Sequence, residues 1–85
     1  MQNISVRQIK AARALLDWSQ AAYAAASGVS LPTIKRLESK DGLLGGSEET
    51  TTKLIDTLQR AGVEFSGDGA NVLGVTARLR KRRRA

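Results

Sequence analysis

The chain has 85 residues, enough for one domain and too few for two, so fold, subunit contact and ligand surface must share a single modest core. It contains neither cysteine nor histidine. That removes disulfides, thiolate metal sites and the commonest acid–base catalyst, and its serines and carboxylates show no paired nucleophile and base, so no enzyme and no cofactor is expected. The net charge of +6 points to a polyanionic partner. Six of the 14 basic residues lie in the last eight positions, however, which leaves eight cations against all eight acids in residues 1–77. A basic face on the body must therefore come from local segregation of charge. No apolar run reaches the roughly 18–20 residues of a membrane span, and residues 1–5 lack the charged flank and greasy stretch of a signal peptide, so a cytoplasmic protein with no membrane partner is expected.

Ile4, Ile9, Ala12, Leu15 and Leu16 recur at helical intervals with Arg7, Lys10 and Arg13 between them, which predicts a first helix over about residues 4–16. Asp17 and Trp18 break it. Ser19 has the chemistry of an N-cap for a short alanine-rich helix over 20–27, and Gly28 ends that helix because glycine takes the left-handed backbone without penalty. Ser30 caps a third helix running to about Ser39, with Leu31 and Pro32 in the first turn, where a missing amide proton does no harm. Residues 40–46 carry three glycines and read as a loop. Ser47 is the next cap, Glu48 and Glu49 suit a helix N-terminus, and Leu54, Ile55, Leu58 and Ala61 form the apolar stripe of a fourth helix up to Gly62.

After Gly62 the period changes to two. Val63 and Phe65 alternate with Glu64 and Ser66, residues 67–71 are rich in turn formers, and Val75, Ala77 and Leu79 alternate with Thr76, Arg78 and Arg80. The expected division is a four-helix unit over 1–62, a β-hairpin over 63–79 and a basic tail over 80–85 that is too charged to pack.

Within the first unit, residues 20–39 have the lengths of a helix-turn-helix, with Tyr23, Val29, Ile34 and Leu37 as packing points and a small residue, Ala24, where the helices cross. The run from Ala12 to Gln20, followed by Ala24, Ser27-Gly28-Val29-Ser30, Thr33-Ile34 and Arg36-Leu37-Glu38, resembles the phage-repressor and Cro-like family of helix-turn-helix regulators over about residues 7–61. Two positions depart from its pattern: Ala21-Ala22 stands where acidic residues are usual, and Tyr23 where leucine is. The resemblance implies a mainly α, lambda-repressor-like bundle of about four helices, here followed by the C-terminal hairpin. It also implies a bacterial transcription regulator, a repressor acting on double-stranded DNA as a homodimer in the cytoplasm, at the nucleoid. In that family the third helix enters the groove, the residue at the place of Gln20 meets phosphate, and a Glu at the place of Glu38 pairs with an Arg at the place of Arg13.

A helix entering a groove end-on presents its first turn and the next residues on that face. Candidate base contacts are therefore Ser30, Leu31, Pro32, Thr33 and Arg36, with Arg36 as the reader of guanine and Leu31 and Pro32 limited to apolar contact such as a thymine methyl. Ser19, Gln20, Lys35, Ser39 and Lys40 are assigned to the DNA backbone. Trp18 is read as a plug between helices.

An isolated hairpin is marginal in water, so Val63, Phe65, Val75, Ala77 and Leu79 are expected to be covered by a twofold partner, or else by the chain's own fourth helix. The tail residues Arg80, Lys81, Arg82, Arg83 and Arg84 read as a DNA arm, against a solvated tail or an RNA- or membrane-attracted patch. Competing roles are an antitoxin-type DNA binder whose C-terminal segment holds a partner protein and a nucleic-acid binder without sequence preference. An antagonist protein or RNA polymerase is a further candidate partner.

Overall fold

The computed structural model describes residues 4–66 and 76–79, with Ser66 and residues 76–79 described by their backbone alone. The expected turn at 67–71, Val75 and the tail residues Arg80, Lys81, Arg82, Arg83 and Arg84 lie outside the described residues.

The first helix, α1, spans Val6–Leu15. It begins later than its periodicity suggests because Ser5 and Gln8 form a capping box: the Ser5 hydroxyl accepts from the Gln8 amide at 3.1 Å and the Gln8 side-chain carbonyl accepts from the Ser5 amide at 2.9 Å. Ile4 thus belongs to an extended segment. Its carbonyl accepts from the Leu44 amide at 2.8 Å, and the Val6 amide donates to the Gly42 carbonyl at 2.9 Å, which ties the chain start to the loop after the third helix. Leu15, expected in the apolar stripe, is instead 41% exposed; the buried side of α1 is Val6, Gln8, Ile9 and Ala12. The helix ends in a Schellman turn, with the Trp18 amide donating to the Arg13 carbonyl and the Asp17 amide to that of Ala14. Asp17 occupies the left-handed position at φ 58°, which its short polar side chain tolerates better than most.

Helix α2 spans Gln20–Ser27 with Ser19 capping the Ala22 amide, and it stops at Gly28, whose φ of 77° is the left-handed turn the sequence called for. Helix α3, Leu31–Glu38, is capped by Ser30, and helix α4, Glu48–Arg60, by Ser47. Ala61, counted in the α4 stripe, caps the C-terminus and is exposed. Strand β1, Val63–Ser66, pairs antiparallel with β2, Thr76–Leu79, in the register Val63↔Leu79 to Ser66↔Thr76.

One core unites these elements. Ile9, Ala12, Tyr23, Val29, Ile34, Leu37, Leu54 and Leu58 form its centre, and Val63 joins it. β1 lies against α4 and β2 against α1. This corrects one expected subunit contact: Val63 is only 1% exposed within a single chain, so it has no surface left to bury against a partner. Phe65 is half-buried against the same core. Of the β1 side chains, Val63 is covered by the chain itself, while Glu64 and Phe65 keep part of their surface exposed.

Tyr23, where the resembled family has leucine, sits at the centre of the core. It is fully buried, its hydroxyl donates to the Leu54 carbonyl at 2.9 Å, and its ring lies 6.1 Å from that of Trp18. The extra hydroxyl is tolerated because it finds an acceptor on α4. Burial pushes the phenol well above the ordinary tyrosine range, the Glu38 carboxylate adds to that, and Arg13 opposes it. A folded-state value raised above the unfolded one means that this group's stabilisation is complete below about pH 10 and is lost as pH rises beyond it. Tyr23 is the chain's one tyrosine, so phenolate absorbance reports on it alone. We expect that absorbance to appear only with unfolding, and Tyr23→Phe to cost about 1 kcal/mol at neutral pH while blunting the alkaline loss of stability. Phenolate forming near pH 10 in the folded protein would contradict the assignment.

Candidate functional site

The α2–Gly28–α3 unit is anchored from inside by Tyr23, Val29, Ile34 and Leu37, all buried, with Ala24 half-buried where the two helices meet. On α3 the buried residues are Ile34, Leu37 and Glu38. Pro32, Lys35, Arg36 and Ser39 are exposed on the opposite side. Residues four apart on a helix share a face, so Pro32 and Arg36 form the central outward ridge, with Lys35 beside it. Leu31 and Thr33 are half-buried and flank the ridge rather than crown it.

The C-terminal end of α3 is fixed by a polar clasp. Glu38, 6% exposed, accepts from Arg13 Nε at 3.0 Å and Nη2 at 2.9 Å, a bidentate pair, and from Gln20 Nε2 at 3.0 Å. Arg13 Nη1 donates to the Trp18 carbonyl at 2.9 Å. One carboxylate thereby joins α1, the α1–α2 turn, the first residue of α2 and the end of α3. The Arg13–Glu38 pair was implied by the family resemblance. The Gln20 and Trp18 contacts were not, and none of the three follows from spacing along one helix.

Several assigned side chains have internal work in this structure. Ser30 caps the Thr33 amide and its hydroxyl donates to Thr33 Oγ1 at 2.8 Å, so the two hydroxyls are engaged with each other. Gln20 commits one side-chain N–H to Glu38. Ser19 caps α2, and Ser39 donates to the Arg36 carbonyl at 2.7 Å. Lys35, Arg36 and Lys40 are exposed, and among the described residues no carboxylate pairs with them. On α4, by contrast, Lys53 pairs with Glu49 at 3.6 Å and Arg60 with Asp56 at 3.0 Å. Charge is segregated in part: exposed cations without a carboxylate partner stand along and just past α3, while α4, with three acids and two bases, pairs both of its cations internally.

Other chemistry is sparse. Among the described residues no group of acidic side chains is placed to hold a metal ion, and no helix is long and apolar enough to cross a membrane. A shallow groove between Ile4, Leu43 and Leu44 and the Thr51–Ile55 side of α4 contains none of the candidate residues.

A family model described as helix-turn-helix matches residues 9–45, from within α1 through α3 into the following loop. That is the type of domain the sequence resembles, and the match supports a DNA-binding regulator. No curated protein matches the chain.

The clasp yields a stability test. Glu38→Ala strands the Arg13 guanidinium, and we expect a loss of about 2–3 kcal/mol in denaturant unfolding, below the 3–5 of a fully buried pair because Arg13 keeps some access to water. The double change Arg13→Met with Glu38→Leu should recover most of it. A loss from Glu38→Ala of only about 0.5 kcal/mol, the size of a surface pair, would show that the clasp does not hold the helices together.

Proposed function

Starting from residues 9–45 as a helix-turn-helix, we propose that the chain is a sequence-specific transcription regulator that binds double-stranded DNA as a homodimer, with α3 in the major groove of each half of a twofold operator. The observation that carries this reading is the outward ridge of Pro32 and Arg36, flanked by Lys35, on a helix held from behind by buried side chains and the Glu38 clasp. Arg36 reads guanine through O6 and N7. Thr33 contributes its hydroxyl, Leu31 and Pro32 make apolar contact, and Ser30 acts mainly by holding Thr33. Ser19, Gln20, Lys35, Ser39 and Lys40 fix the register on phosphates, Gln20 through the amide proton it does not give to Glu38.

A twofold operator needs two readers about 34 Å apart. Since Val63 is internal, the dimer contact is drawn from the hairpin's backbone edges, with Phe65: in a two-stranded sheet each strand keeps one unpaired edge, and edge-to-edge pairing across a dyad extends the sheet. Residues 80–84 serve as an arm along the DNA backbone, and bound dimers repress by occupying the operator.

The test is selection of bound duplexes from a random pool, followed by binding of the variants. The reading expects a site with twofold symmetry. Arg36→Ala should lose about 1–3 kcal/mol and relax preference at one base position. Removal of residues 80–85 should leave preference intact and flatten the log K against log salt slope by about 0.9 per lost phosphate contact. Equal loss on all sequences for Arg36→Ala would make it a phosphate contact, and selection that recovers no common sequence would overturn the reading.

A further inference from the structure

The groove reading leaves open which base edges this helix is equipped to recognise, and the composition of its outward face narrows the answer. No asparagine or glutamine stands on α3, so the two-bond amide contact to adenine has no source there. The helix's one carboxylate, Glu38, is buried with both oxygens engaged, so it offers no acceptor to the amino group of cytosine. Two reading chemistries remain on the ridge: the guanidinium fork of Arg36 for guanine, and the exposed pyrrolidine ring of Pro32 for an apolar group.

In the major groove the apolar group on a base edge is the methyl at C5 of a pyrimidine. Pro32 and Arg36 are one helical turn apart, with Cβ atoms about 5–6 Å from each other, while stacked bases rise about 3.4 Å. A ring and a fork at that spacing fit neighbouring bases. The methyl is the same group on thymine and on 5-methylcytosine. These two bases differ at C4, as acceptor or donor, and the Thr33 hydroxyl on the flank of the ridge is able to pair with either.

We propose that this face reads a step made of a 5-methylpyrimidine followed by guanine, accepting thymine and 5-methylcytosine alike, so that binding responds to cytosine methylation at that step. The proposal rests on the groove reading, and its test separates the two. In the selected duplex, the base 5′ to the guanine read by Arg36 is made thymine, uracil, 5-methylcytosine or cytosine, each with its complement. Thymine should exceed uracil, and 5-methylcytosine should exceed cytosine, by about fourfold each, the effect of burying one methyl group. Pro32→Ser, at an exposed position, should bring both ratios to about one while the preference for guanine survives. Ratios of one in the unaltered protein, or a selected site with no methyl-bearing pyrimidine beside that guanine, would overturn this proposal and leave the groove reading standing. Indifference to every base would instead overturn the groove reading itself.

Discussion

The buried carboxylate of Glu38 is the constraint on which the arrangement of helices depends. A charge removed from water must be matched by donors in good geometry, and here three side-chain N–H groups from two other parts of the chain converge on its two oxygens. Such a site tolerates little displacement. If α3 slid by a turn or rotated by a residue, the carboxylate would face an apolar core or solvent while Arg13 lost its partner. The clasp therefore sets which side of α3 turns inward, and by elimination which side turns outward.

Apolar packing supplies the bulk of the stabilisation around that fixed point. Val29, Ile34 and Leu37 hold α2 against α3, and Tyr23 reaches past them to the Leu54 carbonyl, coupling α2 to α4. Because these contacts take one side of α3 only, Pro32, Lys35 and Arg36 are left in water with their cations unpaired among the described residues. Rigidity behind and free charge in front are what an end-on groove reader requires. Neither property would be useful without the other.

Much of this was legible in the residues, for identifiable reasons. The caps Ser19, Ser30 and Ser47 and the left-handed Gly28 are local signals whose physics lies within four residues of chain, and each marks its helix boundary where expected. The start of α1 at Val6 is hidden in the sequence because Ile4 continues the apolar period. What stops the helix there is the Ser5–Gln8 box, a short pattern that hydrophobic spacing outweighs, together with pairing to residues 42–44, far away in sequence. Leu15 looked like core because a period of 3.6 does not say where a helix stops having neighbours. A hairpin needs covering, by a partner or by the chain's own fourth helix, and its sequence does not say which; for Val63 the cover is the chain's own core. At the candidate site, residue types identified the face, but not that the Ser30 hydroxyl and one Gln20 N–H are already in use, since both are contacts across space or across a turn.

The central claim is that the outward side of α3 is the surface that meets duplex DNA. Titrating isotope-labelled protein with a selected duplex, and following each backbone amide by nuclear magnetic resonance, tests it residue by residue. The account predicts the largest shifts over Ser30 to Lys40 and at the N-terminus of α2, with the groove beside α4 nearly unmoved. Shifts confined to α4 or to the residues beyond Leu79, with α3 silent, would contradict it.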